Sequence, residues 1–264
     1  MKYVITSKGD EKSDLLRLSM IAEFGSYGLE YDAENPEIVI SIGGDGTLLA
    51  AFHEYEDKLS DTAFVGIHTG HLGFYADWRP NEAEKLVKRI AEEKYDTVKY
   101  PLLKTTVCYS SGKKETEYLA LNESTIQSSG GPFVVDVIIN GTQFERFRGD
   151  GLCMSTPSGT TAYNKSLGGA LIHPSIKSMQ LTEMASINNR VYRTISSPLI
   201  FPKHHKVSLK PVDDRDFQIS VDHLSVLHRD VREIIYEISE QEIKFARFRS
   251  FPFWKRVHDS FIED

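Results

Sequence analysis

Apolar residues change their spacing along the chain. Over the first 95 residues, short β-branched runs alternate with stretches whose apolar positions recur every three or four residues. Unbroken runs of that kind read as buried strands and the three-to-four spacing as helices. Residues 3–5, 38–42 and 63–67 are therefore expected as strands. Residues 14–24, with Leu15, Leu16, Leu18, Ile21, Ala22 and Phe24, are expected as an amphipathic helix, and residues 48–55 as a second. A third helix should start near Arg79-Pro80-Asn81, with Asn81 as its N-cap and Glu84 three residues on. This alternation predicts an α/β domain with a doubly wound parallel sheet over residues 1–99.

From Tyr100 the pattern changes. Residues 105–109, 116–121, 133–139, 143–147, 152–155, 206–209, 217–221 and 233–238 read as strands, and Asn140-Gly141 as a hairpin turn. One helical insertion is expected at about residues 161–171. The second domain, residues 100–247, is thus β-rich. The closing residues carry Phe251, Phe253, Trp254, Val257 and Phe261, the apolar face of a terminal helix over about 248–264 that should pack back on the first domain.

Charge and composition narrow the function. A net charge of −7 argues against a general nucleic-acid or anionic-membrane binder. No stretch approaches the roughly 18 apolar residues of a membrane span. The first residues read as a strand and not as a signal peptide. Cys108 and Cys153 sit among apolar neighbours without ligand spacing, as buried thiols of a reducing cytoplasm would. An acidic chain that handles phosphate must do so locally, with backbone N–H groups, a few Lys or Arg and a divalent metal.

The candidate chemistry starts at Gly43-Gly44-Asp45-Gly46-Thr47, between a strand and a helix. Backbone N–H groups and the positive end of a helix dipole meet there, which suits phosphate. Asp-Gly is also ordinary turn chemistry. A carboxylate beside phosphate has two uses: holding a phosphate-bound metal, or taking a proton from an attacking hydroxyl. The third strand likewise ends in a glycine-rich loop, Gly70-His71-Leu72-Gly73-Phe74. In parallel sheets ligands sit beyond the carboxyl ends of the strands, where both loops lie.

Three more segments stand out. Asn122-Glu123 offers a donor and acceptors to a base edge and to sugar hydroxyls. Arg148-Gly149-Asp150-Gly151 is followed by Ser155-Thr156-Pro157-Ser158-Gly159-Thr160-Thr161-Ala162-Tyr163, a hydroxyl-rich loop leading into a helix start. One of Ser158, Thr160 and Thr161 is expected as its N-cap. Asp222-His223 follows a strand. His204-His205 lacks a second ligand pair for zinc. The P-loop, Rossmann and protein-kinase patterns are all absent.

Together these motifs, in this order and along nearly the whole chain, resemble the bacterial NAD kinase family. The glycine turn alone is shared with lipid kinases and, more loosely, phosphofructokinases; the other motifs are specific to NAD kinases. The resemblance implies an α/β N-terminal domain and an all-β, sandwich-like C-terminal domain. It implies transfer of the ATP γ-phosphoryl group to the 2′-hydroxyl of the adenosine ribose of NAD, with Mg²⁺ or another divalent metal carried on the donor phosphates and no metal-binding side-chain cluster. By the same resemblance Asp45 is the general base, and Gly44, Gly46 and Thr47 form the phosphate turn. Leu72 and Phe74 belong to the second glycine loop of the site. Asn122 and Glu123 hold adenine and ribose groups, Asp150 meets the nicotinamide end, and Arg148 is a further substrate-binding residue. Ser158, Thr161, Ala162, Tyr163, Asn164, Lys165 and Ser166 line the adenine pocket. Ala185 and Tyr192 come from a neighbouring subunit of a homotetramer. A cytoplasmic enzyme is expected.

Two departures from that pattern concern binding. Where many relatives have Gly or Ser followed by Gln, this chain has His223-Leu224, and His223 is expected to take over a polar contact near the new 2′-phosphate. His53 stands where some relatives have Arg; Lys165 and Arg148 are the basic candidates to compensate. The competing readings are a lipid kinase of the same superfamily, which needs an apolar or basic membrane face, and a non-catalytic dinucleotide sensor, which gains little from Asp45.

Overall fold

The computed structural model describes residues 1–70, 73–131, 133–250 and 252–263. The chain divides into two compact units, Met1–Tyr100 with Gln241–Asp264 and Pro101–Glu240.

In the first unit, β1 (Lys2–Ser7), α1 (Glu11–Ser26), β2 (Glu30–Tyr31), β3 (Ile38–Gly43), α2 (Asp45–Glu54), β4 (Ala63–His68) and α3 (Ala83–Glu92) follow in order. The sheet runs β2-β1-β3-β4 with every pair parallel. All residues of β3 and β4 are buried, as expected of largely apolar parallel strands covered on both faces.

Helix α1 starts at Asp10, whose carboxylate accepts the Ser13 N–H at 2.8 Å. Its inner face is Ser13, Leu16, Met20, Ile21 and Phe24, while Leu15, Leu18 and Ala22 point to solvent. At 100° per residue those three fall on the opposite side, so the expected stripe counted apolar residues that the helix period leaves outside. Asn81 is not the cap of α3. It lies inside a 3₁₀ turn, Pro80–Glu82, and the Glu82 carboxylate closes that turn by accepting the Arg79 N–H at 3.0 Å.

The chain leaves through β5 (Asp96–Tyr109) and continues as β6 (Thr116–Ala120), β7 (Glu123–Ser128), β8 (Phe133–Ile139), β9 (Thr142–Gly149) and β10 (Gly151–Ser155). Then come α4 (Tyr163–Ser166), β11 (Ser178–Met184), β12 (Leu199–Pro202), β13 (Val207–Pro211), β14 (Phe217–Val221), β15 (Leu224–His228) and β16 (Val231–Arg247). One layer of the second unit has β13 between β16 and β8, with β9 beyond β8. The other is the antiparallel sheet β12-β11-β10-β7-β14-β15. Val135, Phe147 and Leu209 of the first layer and Ile126, Leu152 and Ile219 of the second share one core, which makes the unit a sandwich. The β8–β9 turn is Asn140 (φ 49°) and Gly141 (φ 82°), left-handed at both positions as a tight hairpin requires.

Strands β7, β11, β12 and β15 are absent from the hydrophobic pattern. In β7 the buried residues are Glu123, Ser124, Thr125 and Ile126, three of them polar, so no apolar run marks this central strand. The helical insertion is also shorter than expected. A 3₁₀ turn, Ser158–Thr161, precedes the single turn of α4, and Gly168 (φ 83°) follows. Cys108 and Cys153 are buried free thiols.

The last part of β16 belongs to the first unit, where Phe245 pairs in parallel with Phe64 of β4. There α5 (Phe253–Phe261) buries Phe253 and Val257, while Trp254 is exposed; Phe251 lies outside the described residues. Among the described residues no helix is long and apolar enough to cross a membrane.

Candidate active site

Helix α2 begins three residues earlier than the apolar spacing implied, with Gly44 in extended conformation as its N-cap. Asp45, Gly46 and Thr47 are therefore the first turn of the helix, where backbone N–H groups lack intrahelical acceptors. The Asp45 side chain turns back onto the loop after β4 and accepts the N–H groups of Phe74 at 2.8 Å and Tyr75 at 3.2 Å. Burial raises its pKa above the ordinary aspartate value, against the opposing pull of those two N–H groups and of the Arg256 and His68 charges. A carboxyl raised this way holds a proton more readily than an exposed one, as a base receiving a proton must.

The glycines around it divide into two kinds. A Cβ at Gly43 would lie 2.1 Å from Thr47 Oγ1, and one at Gly73 would lie 2.2 Å from Asp45 Oδ1. Those two are glycine because the protein itself fills the space. A Cβ at Gly44 or Gly46 would meet nothing within 4 Å among the described residues, and neither has a left-handed φ. A glycine inside a helix costs about 0.5–1 kcal/mol relative to alanine, and among the described residues no close packing requires it at Gly46. Bare backbone at a helix N-terminus is what a phosphate group needs to approach closely.

Leu72, expected in this site, lies outside the described residues. Phe74 contributes its N–H to Asp45 and stacks its ring on Phe261 of α5, with centroids 5.5 Å apart. His53 sits in the last turn of α2, its Nδ1 3.3 Å from Glu56. Eight residues of helix rise, about 12 Å, separate it from Asp45.

In the second unit the organising group is Asp222. Its carboxylate accepts the consecutive N–H groups of Leu121 (2.9 Å), Asn122 (2.7 Å) and Glu123 (3.3 Å). Asp222 occupies the β14–β15 turn at φ 52°, and its own N–H returns to the Glu123 carbonyl at 2.9 Å. His223, the next residue, is exposed. Asn122 and Glu123 are both buried. Burial, and next the Asp222 charge, push the Glu123 carboxyl up to about 8, with a backbone hydrogen bond from Tyr163 as the opposing influence. Its Oε2 is buried without a hydrogen-bond partner among the described residues.

The hydroxyl-rich loop is built differently from the expected N-cap. The N-cap residues Pro157 and Ala162 make no side-chain cap bond, and it is the Thr156 hydroxyl that accepts the Gly159 N–H at 3.0 Å. Thr156 and Ser158 donate instead to the Leu121 carbonyl at 2.6 and 3.0 Å, Thr160 to Pro157 O at 2.6 Å, and Thr161 to Ser158 O at 3.0 Å. Gly159 packs so closely that a Cβ would lie 2.0 Å from Asn122 O. The Thr156 and Ser158 hydroxyls fasten this loop to the strand end at Leu121-Asn122, and those of Thr160 and Thr161 brace the loop itself. Ser158 and Asn164 are fully buried, with Asn164 Oδ1 accepting from Thr182 at 2.6 Å. Ala162 is half-buried, and Tyr163, Lys165 and Ser166 are exposed.

A second cluster forms at the other end of β10. Asp150 is exposed and donates its N–H to Met184 O at 2.9 Å. Gly149 has no room for a side chain against the Met184 and Ala185 carbonyls. The Arg148 guanidinium lies 4.9 Å over the Tyr192 ring, and its carbonyl accepts the Ile187 N–H at 2.8 Å. Arg148, Asp150, Ala185 and Tyr192 of one chain thus share a corner. Five residues of β10, about 14 Å of strand, separate it from the Asn122–Glu123 cluster.

Sequence reasoning saw Asp222 only as half of an Asp-His pair and gave no role to Arg256 or Asp77. Their partners are distant in sequence, and no local spacing marks them. Among the described residues the three-ligand grouping at metal distance is His258, Asp259 and Glu263, on the last turns of α5 and beyond, not at the glycine turn.

Residues 20–95 match the ATP-NAD kinase N-terminal domain and residues 121–247 the ATP-NAD kinase C-terminal domain. The chain is 78% identical to NAD kinase 1 of Listeria innocua over 264 residues, covering the whole of both chains. The chain belongs to the NAD kinase family. Against NAD kinase 1 of Bacillus subtilis it is 60% identical over 262 residues, covering 99% of this chain and 98% of that one. Such identity over full length makes it an NAD kinase by activity, and neither a lipid kinase nor an inactive sensor is favoured. The fold of this NAD kinase extends to distant structures. Yeast NADH kinase complexed with NADH superposes with a TM-score of 0.82 at 18% identity, covering 99% of this chain and 87% of that one. An NAD kinase from Archaeoglobus fulgidus in complex with ATP gives 0.74 at 23%, covering 100% and 98%.

Proposed function

We propose that this NAD kinase transfers the γ-phosphoryl group of ATP to the 2′-hydroxyl of the adenosine ribose of NAD, giving NADP and ADP, and that Asp45 takes the hydroxyl proton. The observation that carries the reading is the Asp45 carboxylate, fixed by the Phe74 and Tyr75 N–H groups at the first turn of α2, beside two glycines with open space around them. The 2′-oxygen forms its bond to the γ-phosphorus as the bridging oxygen to the β-phosphate leaves with its electron pair. The proton passes to Asp45. A secondary alcohol is a weak nucleophile, so a base held still at the point of attack lowers the barrier.

Gly44, Gly46 and Thr47 receive donor phosphate, and Phe74 borders that site. Residues 1–99 serve the donor and residues 100–247 the acceptor. Asn122 and Glu123 take the adenine and ribose groups of NAD. Arg148 and Asp150 take its nicotinamide end, a division that the length of β10 between the clusters supports. Thr161, Ala162, Tyr163, Lys165 and Ser166 border the adenine, with Ser158 and Asn164 shaping the loop from beneath. His223, exposed beside Asp222, meets the new 2′-phosphate. Mg²⁺ or another divalent metal offsets charge on the donor phosphates when bound. Mg²⁺ keeps much of its water and binds through substrate phosphates, so it can be carried by the donor itself. The enzyme works in the cytoplasm as a homotetramer in which Ala185 and Tyr192 reach a neighbouring subunit's ligand.

The test is purified protein with NAD, ATP and Mg²⁺, and NADP read by an NADP-specific dehydrogenase. NADP should form, stop with EDTA and return with added Mg²⁺. Formation untouched by EDTA would remove the metal from the account, and parallel runs with inorganic polyphosphate and NADH fix donor and acceptor preference.

A further inference from the structure

Two carbonyls bracket the loop on which Asp45 rests, and one side chain holds both. Arg256, on α5, donates from Nη1 to Gly73 O at 2.5 Å and to Ala76 O at 2.7 Å. Between those carbonyls lie Phe74 and Tyr75, whose N–H groups bind the Asp45 carboxylate. Arg256 is itself held from behind: its Nη2 lies 3.5 Å from Asp77 Oδ1, and Arg247 pairs with the other oxygen of Asp77. The Arg256 and Asp77 side chains are 13% and 3% exposed, so this chain of contacts runs through the interior of the first unit.

We infer that Arg256 is a positioning residue for Asp45, fixing through Gly73 O and Ala76 O the two peptide N–H groups that aim the carboxylate. The inference rests on the reading of Asp45 as the base. A guanidinium suits the task because its rigid fork serves two acceptors on one side and a carboxylate on the other. A lysine ammonium keeps the charge but not the planar fork. Small displacements of a reacting group cost rate steeply, so a loosened loop should slow the chemical step and leave ground-state binding intact. Contact with donor phosphate would behave differently, because losing it raises the KM for ATP.

The experiment uses full-length Arg256→Met, Arg256→Lys, Asp45→Asn and the double variant Asp45→Asn/Arg256→Met, with kcat, both KM values and amide exchange measured. Arg256→Met should lose about 10- to 100-fold in kcat, a typical cost of misplacing a reacting group, with both KM values within about twofold. Arg256→Lys should recover part of the rate. Peptides covering Gly73 to Tyr75 should exchange faster in Arg256→Met while β3 and β4 stay protected, a readout that needs no turnover. Arg256→Met added to Asp45→Asn should cause little further loss. An additive loss, unchanged exchange, or a raised ATP KM at constant kcat overturns the inference while leaving Asp45 as the base. Full activity in Asp45→Asn overturns the base and the inference together. Should Arg256→Met fail to fold, Arg256→Lys carries the same kcat and exchange comparison.

Discussion

Asp222 and Asn122 stand 100 residues apart in sequence, and the Asp222 carboxylate accepts the Asn122 N–H at 2.7 Å. The same carboxylate takes the N–H groups on either side. A side chain from one hairpin turn therefore sets the backbone of the strand end that presents Asn122 and Glu123. Charge-assisted hydrogen bonds are the stronger kind, and Asp tolerates the left-handed φ of 52° found here. Asp222→Ala should cost about 3 kcal/mol in urea unfolding and raise the KM for NAD. Asp222→Asn should cost roughly half as much, because it keeps an acceptor and tolerates the turn. Equal stability of Asp222→Ala and the wild type would show that the three N–H groups find water instead.

Gly46 makes the opposite prediction. Among the described residues nothing lies within 4 Å of a Cβ there, and the position is in a helix. Gly46→Ala should leave the fold unharmed or add about 0.5–1 kcal/mol of stability, and should raise the KM for ATP. Destabilisation with unchanged ATP kinetics would mean that the glycine serves the fold and not the donor.

The Glu123 carboxyl predicts a pH effect on stability. It titrates near 4.5 when exposed and is pushed up to about 8 when folded. Between those values the native state keeps a proton that the unfolded chain has released, so this group's contribution to stability falls as pH rises from about 4.5 to about 8. Glu123→Gln cannot titrate. It should gain on the wild type by a few kcal/mol at pH 8, with the difference shrinking toward the acid end of that window, as thermal unfolding at both pH values will read. A difference independent of pH would mean that Glu123 ionises normally.

The parallel strands and the antiparallel hairpins could be read in advance wherever burial is apolar. The runs at β3 and β4 are mostly apolar, and Asn140-Gly141 is a turn by its own chemistry. Legibility fails where polar residues are buried or partners are remote. Strand β7 hides Glu123, Ser124 and Thr125 inside a sheet, so periodicity treats it as a loop. The hydroxyls of residues 156–161 look like cap candidates, but their acceptors are Leu121, Pro157 and Ser158 carbonyls, of which Leu121 lies far off in sequence. The glycine turn was visible as a motif. That Gly43 and Gly73 are glycine for internal room, while Gly44 and Gly46 face open space among the described residues, follows from the fold and not from the motif.

The central claim is that Asp45 moves the proton and does not chiefly bind. The most direct measurement is kcat beside the NAD dissociation constant in Asp45→Asn, which keeps the shape and removes the charge. The rate should fall by about 10²- to 10⁴-fold, the range of a lost general base, with NAD affinity within about twofold. A normal rate, or equal losses in rate and affinity, would contradict it.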